Sequence, residues 1–264
     1  MTPTDKTVVV TGGANGIGRQ VVLEAIRRGA RVAAVDIRPD DLAETERLAE
    51  DRARIATFVC DVTDRDAVAA LPAQITERLG PADMVIHVAG IIQPFVKLAD
   101  LDYPTIDRVV RVNLYGTIHV VKAFLPHLLD RPEGWVAAVS SMGGYLPVPG
   151  QAVYGATKAA VKLLTEALYA ELLDTPVGVS VIMPGAVATE ITAHSGVEAP
   201  RVEGRRTPRT TSPEEAARII WDGIRARRLH IYVGSDAKLM GRLQRLAPRR
   251  SIHLIQRQMR DLLG

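Results

Sequence analysis

Short apolar runs alternate with helical-period stretches from the start of the chain. The runs, rich in Val, Ile and Ala, cover 7–11, 31–36, 55–60, 84–87, 135–140 and 177–183. Between them, 17–28, 42–51, 67–79, 106–129 and 153–173 carry helical patterning. A strand buried on both faces reads as a continuous apolar run. Strand–helix alternation repeated this way predicts an α/β fold, a doubly wound parallel sheet between two helical layers. Ser212 before Pro213-Glu214-Glu215 predicts a capped helix running to about Arg227, and 230–233 a last strand, for about seven in all. No composition shift splits the first 236 residues, so 1–236 reads as one domain and 237–264 as its extension. The longest irregular segment, 192–211, falls where such folds keep a substrate lid.

The first strand runs into Thr11-Gly12-Gly13-Ala14-Asn15-Gly16-Ile17-Gly18. In a strand–turn–helix setting, Gly12 permits the turn, Gly16 lets backbone approach a pyrophosphate, and Gly18 lets the helix pack closely. The helix start then offers free N–H groups to phosphates, which makes the fold Rossmann-type. Asp36 ends the second run, 18 residues after Gly18, where a carboxylate takes ribose hydroxyls and repels a 2′-phosphate. That favours NAD. Arg38 beside it is the feature that would serve NADP instead. Asp61 reads either as a contact to the adenine edge or as a helix cap before Ala67.

Tyr154 and Lys158, four apart, share one helix face. An ammonium beside a phenol favours the phenolate, so the pair can take an alcohol proton near neutral pH. Ser141 lies thirteen residues earlier at a strand end, where a hydroxyl can hold the substrate oxygen. Asn113 interrupts an apolar helical run, and holding a water behind Lys158 would account for it.

With these residues the chain resembles the short-chain dehydrogenase/reductases over about residues 5–190. The resemblance rests on Thr11-Gly12-x-x-x-Gly16-x-Gly18, Ala89-Gly90, Asn113, Ser141, Tyr154-x-x-x-Lys158 and Pro184-Gly185. It implies a catalytic tetrad of Asn113, Ser141, Tyr154 and Lys158. Tyr154 would be the acid/base, Lys158 would hold the nicotinamide ribose and lower the tyrosine pKa, and Ser140 would be a structural neighbour. It implies dinucleotide contacts at Gly12, Asn15, Gly16, Ile17, Gly18, Asp36, Asp61, Val62, Ala89, Gly90, Pro184, Gly185, Val187 and Thr189. Asn15 would brace the glycine loop, and main chain near Ile182 would help at the carboxamide. Where the family reads Asn-x-Ala-Gly, this chain has His87-Val88-Ala89-Gly90, and His87 reads as a structural substitute.

For the substrate, the resemblance points to Ser141, Met142, Tyr145, Tyr154, Phe95 and Ile191, with Ile91, Ile92, Pro94, Leu146, Met183 and Val187 nearby. The set holds no Lys or Arg, so an apolar secondary alcohol or ketone is expected. The expected activity is NAD(H)-dependent interconversion of the two. Alternatives are an NADPH-dependent ketone reductase and a non-catalytic dinucleotide-sensing scaffold. No metal site is expected. Family members assemble, so a homodimer or homotetramer through 106–129 and 153–173 is expected.

The chain has 264 residues and one cysteine, Cys60, so no internal disulfide forms. The opening Met1–Lys6 is polar and no apolar run reaches the roughly 18 residues of a membrane span, so a cytoplasmic protein is expected. Charge is uneven: residues 201–264 carry +9 and residues 1–200 carry −6. Leu239, Leu243 and Leu246, then Ile252, Ile255, Met259 and Leu262, form stripes among seven cations. These basic amphipathic helices would pack on the core or a partner subunit, or lie on an anionic membrane. Nucleic acid is not expected, because no aromatic residues interleave with the arginines.

Overall fold

The computed structural model describes residues 1–189, 191–197 and 210–258. Seven strands form one parallel sheet in the order β3-β2-β1-β4-β5-β6-β7. They are β1 (Thr7–Thr11), β2 (Arg31–Asp36), β3 (Ile55–Val59), β4 (Met84–His87), β5 (Gly134–Val139), β6 (Val177–Pro184) and β7 (His230–Val233). The helices are α1 (Gly16–Arg27), α2 (Pro39–Leu48), α3 (Arg65–Leu79), α4 (Tyr103–Val110), α5 (Gly116–Leu129), α6 (Ala152–Glu171), α7 (Ile191–His194), α8 (Pro213–Arg225), α9 (Ser235–Leu246) and α10 (Pro248–Gln258). Successive side chains of a strand point to opposite faces, and the sheet feeds two cores accordingly. Val8, Val10, Met84 and Ile86 pack with α1 and α8, whereas Val9, Val85 and Val136 pack with α3 and α5. The strand order reverses between β1 and β4, and ligands bind at the carboxyl ends of strands beside such a switch.

Three sequence expectations change. The helix expected over 42–51 starts at Pro39 and stops at Leu48, because Ala49 is extended and Asp51 caps a separate short turn. The helix expected over 106–129 is two helices joined by a π turn, Arg111–Tyr115, with buried Asn113 inside it. The C-terminal stripe packs only in part, through half-buried Leu243 and buried Ile255. Leu239 is 61% exposed and Leu246 86%, while Ala237 and Gly241 are buried. Small residues let α9 approach Tyr232 and Tyr145, and the Tyr145 hydroxyl donates to Ala237 O at 2.7 Å. Met259 and Leu262 lie outside the described residues. No described helix is long and apolar enough to cross a membrane.

Candidate active site

The β1–α1 turn is closed by contacts that only glycine allows. Gly12 has φ +70°, and a Cβ there would stand 2.7 Å from Ala89 N. At Gly18 a Cβ would come 1.8 Å from Gly12 O. So Gly18 serves closure of the loop itself rather than helix-on-sheet packing. The expected brace, Asn15, stands at the start of α1 with no side-chain cap bond. Buried Thr45 on α2 does the bracing. Its hydroxyl lies 3.2 Å from Gly13 O and 3.1 Å from Ala14 O, and accepts from Arg19 Nε at 3.0 Å. The first-turn N–H groups of α1 therefore face the cavity without a side-chain cap, which suits a phosphate.

Asp36 is pinned at the end of β2. Its two carboxylate oxygens accept from Ala14 N and Arg38 N, each at 3.2 Å. The Arg38 guanidinium is paired with Asp41 at 3.2 Å. Asp61 is not the cap of α3. Asp64 caps that helix through Asp66 N and Ala67 N, and Asp61 accepts from Thr63 N at 2.8 Å while facing the cavity.

At the other end, α6 carries Tyr154 and Lys158. Lys158 is buried, with Nζ donating to Val139 O at 2.9 Å, and burial lowers it to about 8. A Cβ on Gly90 would lie 2.9 Å from that nitrogen. Ser140 locks the same helix by donating to Lys158 O at 2.6 Å. Burial pushes the Tyr154 phenol above its ordinary value, and the Ser141 hydroxyl beside it pulls back. Ser141 also accepts from Gly143 N at 3.0 Å, which holds its Oγ on the tyrosine side of the turn.

Asn113 is clamped on two sides. Its Nδ2 donates to Ile91 O at 2.9 Å and Thr157 Oγ1 at 3.1 Å, and its Oδ1 accepts from Ile91 N at 2.9 Å. Its own carbonyl accepts from Thr117 Oγ1 at 2.6 Å. The π turn is what brings this side chain to the loop after β4. His87 bridges strands as expected, with Nδ1 2.7 Å from Thr11 Oγ1. Burial, with Lys158 adding to it, drops the ring to about 3, so it is neutral.

One cavity of about 1180 Å3 runs from Asp36 and Asp61 over Gly12, Asn15, Ile17 and Gly18 to Ser141, Tyr154 and Lys158, and Asn113, His87 and Thr45 stand behind its described lining. Val62, Ala89, Gly90, Pro184, Gly185, Val187, Thr189 and Ile191 also line it. Gly16 stands beside Thr189. Phe95, Met142 and Tyr145 are not in its described lining, and the Tyr145 hydroxyl is spent on α9. Arg108 and Arg111, outside the set the resemblance points to, line it together with the apolar Ile91, Ile92, Val187 and Ile191 of that set. Arg108 donates to Ser195 O at 3.1 Å, and Ser195 Oγ accepts from Ile92 N at 3.0 Å. Two further residues had no sequence signal. Asp236 accepts from Ala186 N at 2.8 Å and so fixes the turn after β6, and Thr211 pairs with the Ala186–Ala188 backbone.

The family model for short chain dehydrogenases matches residues 6–199. The chain belongs to the short-chain dehydrogenase/reductase family. This family member is 38% identical over 236 residues to the 1-deoxy-11-beta-hydroxypentalenate dehydrogenase of Streptomyces avermitilis, covering 88% of this chain and 86% of that one. In fold it is similar to a short chain dehydrogenase/reductase of Burkholderia phymatum solved with NAD. That likeness has a TM-score of 0.82 and 24% identity, over 96% of each chain. It is also similar to a short chain dehydrogenase of Burkholderia cenocepacia solved with NADP. There the TM-score is 0.81 and identity 23%, over 97% of this chain and 99% of that one. Family membership makes this short-chain dehydrogenase/reductase an oxidoreductase on a Rossmann-like parallel sheet, with a nicotinamide dinucleotide as its cofactor class. The uncapped start of α1 and the glycine turn fit such a group.

Proposed function

We propose that the chain interconverts an apolar secondary alcohol and its ketone with NAD(H), with Tyr154 as the acid/base. The observation that carries this reading is one cavity lined at one end by Asp36 and the glycine turn and at the other by Ser141, Tyr154 and Lys158. When bound, the dinucleotide supplies the carbon that accepts or gives the hydride. Tyr154 takes the hydroxyl proton in oxidation and returns it in reduction. Ser141 Oγ holds the substrate oxygen as charge develops on it. Lys158 keeps its ammonium through neutral pH, which favours the phenolate beside it. Asn113 contributes by fixing Ile91 and, through Thr157, the first turns of α6.

NAD is favoured over NADP because the Asp36 carboxylate would meet a 2′-phosphate, and Arg38 is turned to Asp41. The name of the Streptomyces avermitilis relative, a dehydrogenase of a hydroxy compound, supports oxidation of an alcohol. Leu163 and Leu173 on and after α6, 68% and 62% exposed, support a homo-oligomer through the α5 and α6 faces. Exposed Leu239 and Leu246 among Arg242 and Arg245 support peripheral contact with an anionic membrane.

The test is Tyr154→Phe, assayed with a panel of alicyclic secondary alcohols and titrated with NADH and NADPH by fluorescence. Turnover should fall by about a hundred- to ten-thousandfold, with NADH binding unchanged and tighter than NADPH binding. Retained turnover overturns the mechanism, and tighter NADPH binding overturns the cofactor assignment.

A further inference from the structure

The helix that carries Tyr154 begins without a cap of its own. Gln151 stands at the cap position of α6 and its side chain makes no cap bond. The first N–H groups of a helix have no partner within it and need one from elsewhere. Here the partner comes from 60 residues upstream. Gln93, in the loop after β4, is fully buried. Its Oε1 accepts from both Val153 N and Tyr154 N, each at 2.9 Å. Its Nε2 donates to Gly150 O at 3.0 Å, and its own carbonyl accepts from Gln151 Nε2 at 2.8 Å. Four bonds thus tie one side chain and its backbone to the segment Gly150–Tyr154.

We propose that Gln93 is a positioning residue for Tyr154: it caps α6 from outside and sets the first turn from which the phenol projects. Tyr154 is the third residue of α6, so it sits in the turn that frays when the cap is lost. The rest of the loop is fixed separately. Ile91 is held by Asn113 and Ile92 by Ser195. Gln93 therefore anchors on a loop already tied to the π turn and to the segment after α7. A glutamine meets both needs at once, since its amide oxygen serves two N–H groups while its nitrogen serves a carbonyl. Glutamate would keep the acceptor, lose the donor and add a negative charge at the helix start. Methionine would keep the length and lose both.

The inference rests on the proposed role of Tyr154, so Tyr154→Phe is run beside Gln93→Met and Gln93→Glu, all as full chains with NAD. The readouts are turnover of 2-decalol, NADH binding by fluorescence, and tyrosinate absorbance against pH, with Tyr154→Phe as the spectral blank. Lys158 on the same helix and Arg108 and Arg111 across the cavity are the same in every variant. Gln93→Met should lose about a hundredfold in kcat, the scale of a reacting group displaced by about an ångström, while NADH binding stays unchanged. Gln93→Glu should keep the helix start and move the Tyr154 tyrosinate midpoint upward. Parental kcat and midpoint in both variants would overturn the proposal. So would parallel loss of NADH binding and melting temperature with the midpoint unmoved, which marks a merely structural role. If Tyr154→Phe stays active, the acid/base reading fails. If only Tyr154→Phe is inactive and both Gln93 variants match the parent, the positioning role alone fails. Should 2-decalol not turn over, the tyrosinate midpoint decides.

Discussion

The two ends of the cavity are built by different means. The dinucleotide end is local: Gly12 to Gly18, with Asp36 one strand away, shaped by backbone contacts too close for any side chain. The end around Tyr154, the alcohol end in the proposed function, is assembled from distant segments by side-chain hydrogen bonds. Asn113 holds Ile91, Ser195 holds Ile92, Gln93 caps the helix of Tyr154, and Ser140 locks Lys158. The first kind of site fails by steric overlap and fails completely. The second is a set of separate bonds, each worth a net contribution of about 1 kcal/mol, and it loosens in steps.

The largest expected effect is therefore at the dinucleotide end. Gly18→Ala would place a methyl 1.8 Å from Gly12 O, a backbone atom that cannot yield without opening the turn. Overpacking costs about 1–3 kcal/mol and occasionally more, and with the turn opened NADH binding should be lost. Gly143→Ala at the alcohol end is the matched control. Its methyl would stand 3.3 Å from Tyr154 Cε1, a ring that can shift slightly. NADH binding should survive there while turnover falls. If Gly18→Ala binds NADH normally, the contrast between the two ends collapses.

His87 joins the ends, since it stands on β4 and bonds Thr11 of β1. Its ring is neutral in the fold, lowered to about 3 from an ordinary 6.5. As pH falls below 6.5 the unfolded chain gains a proton at His87 that the folded chain refuses. Stability from this group is thus complete above 6.5 and drains by about 1.4 kcal/mol per pH unit down toward 3. Asn in its place keeps a partner for Thr11 and removes the titration. Denaturant unfolding from pH 7 to 4 should show a shallower acid loss in His87→Asn than in the parent. Equal slopes would mean that the ring is solvated and that Thr11 alone bridges the strands.

What the sequence made legible divides along the same line. The strands and the glycine turn were readable because their signals are contiguous: apolar runs, and glycines at fixed spacing before a helix. Tyr154 and Lys158 were readable because a helical period relates them. Asn113 stands out of place in its apolar run, but the π turn that uses it has no sequence period. Gln93, Thr45 and Asp236 were invisible, because each acts on backbone 31 to 61 residues away and nothing in the local pattern marks the partner. The exposed leucines of α9 are a related case. Leucine spacing identifies a face, but the packing was decided by Ala237 and Gly241, whose small size lets α9 close on Tyr145 and Tyr232.

The smallest expected effect probes a single stitch of the alcohol end. Ser195 is buried, and its Oγ is the acceptor for Ile92 N, which is buried too. Ser195→Ala leaves that N–H without its partner, at a cost of about 1–3 kcal/mol. For a chain of this size that is a few degrees of Tm. Arg108 still holds Ser195 through the backbone carbonyl, so the segment after α7 keeps that tie. KM for the alcohol should rise with kcat nearly unchanged, because the change touches the wall of the cavity and not Tyr154. Hydrogen exchange at the Ile92 amide should accelerate, while NADH binding stays at the parental value because no part of the glycine turn depends on this bond. Loss of NADH binding in Ser195→Ala would show that the two ends are one cooperative unit, and that the stepwise loosening argued for the alcohol end is wrong.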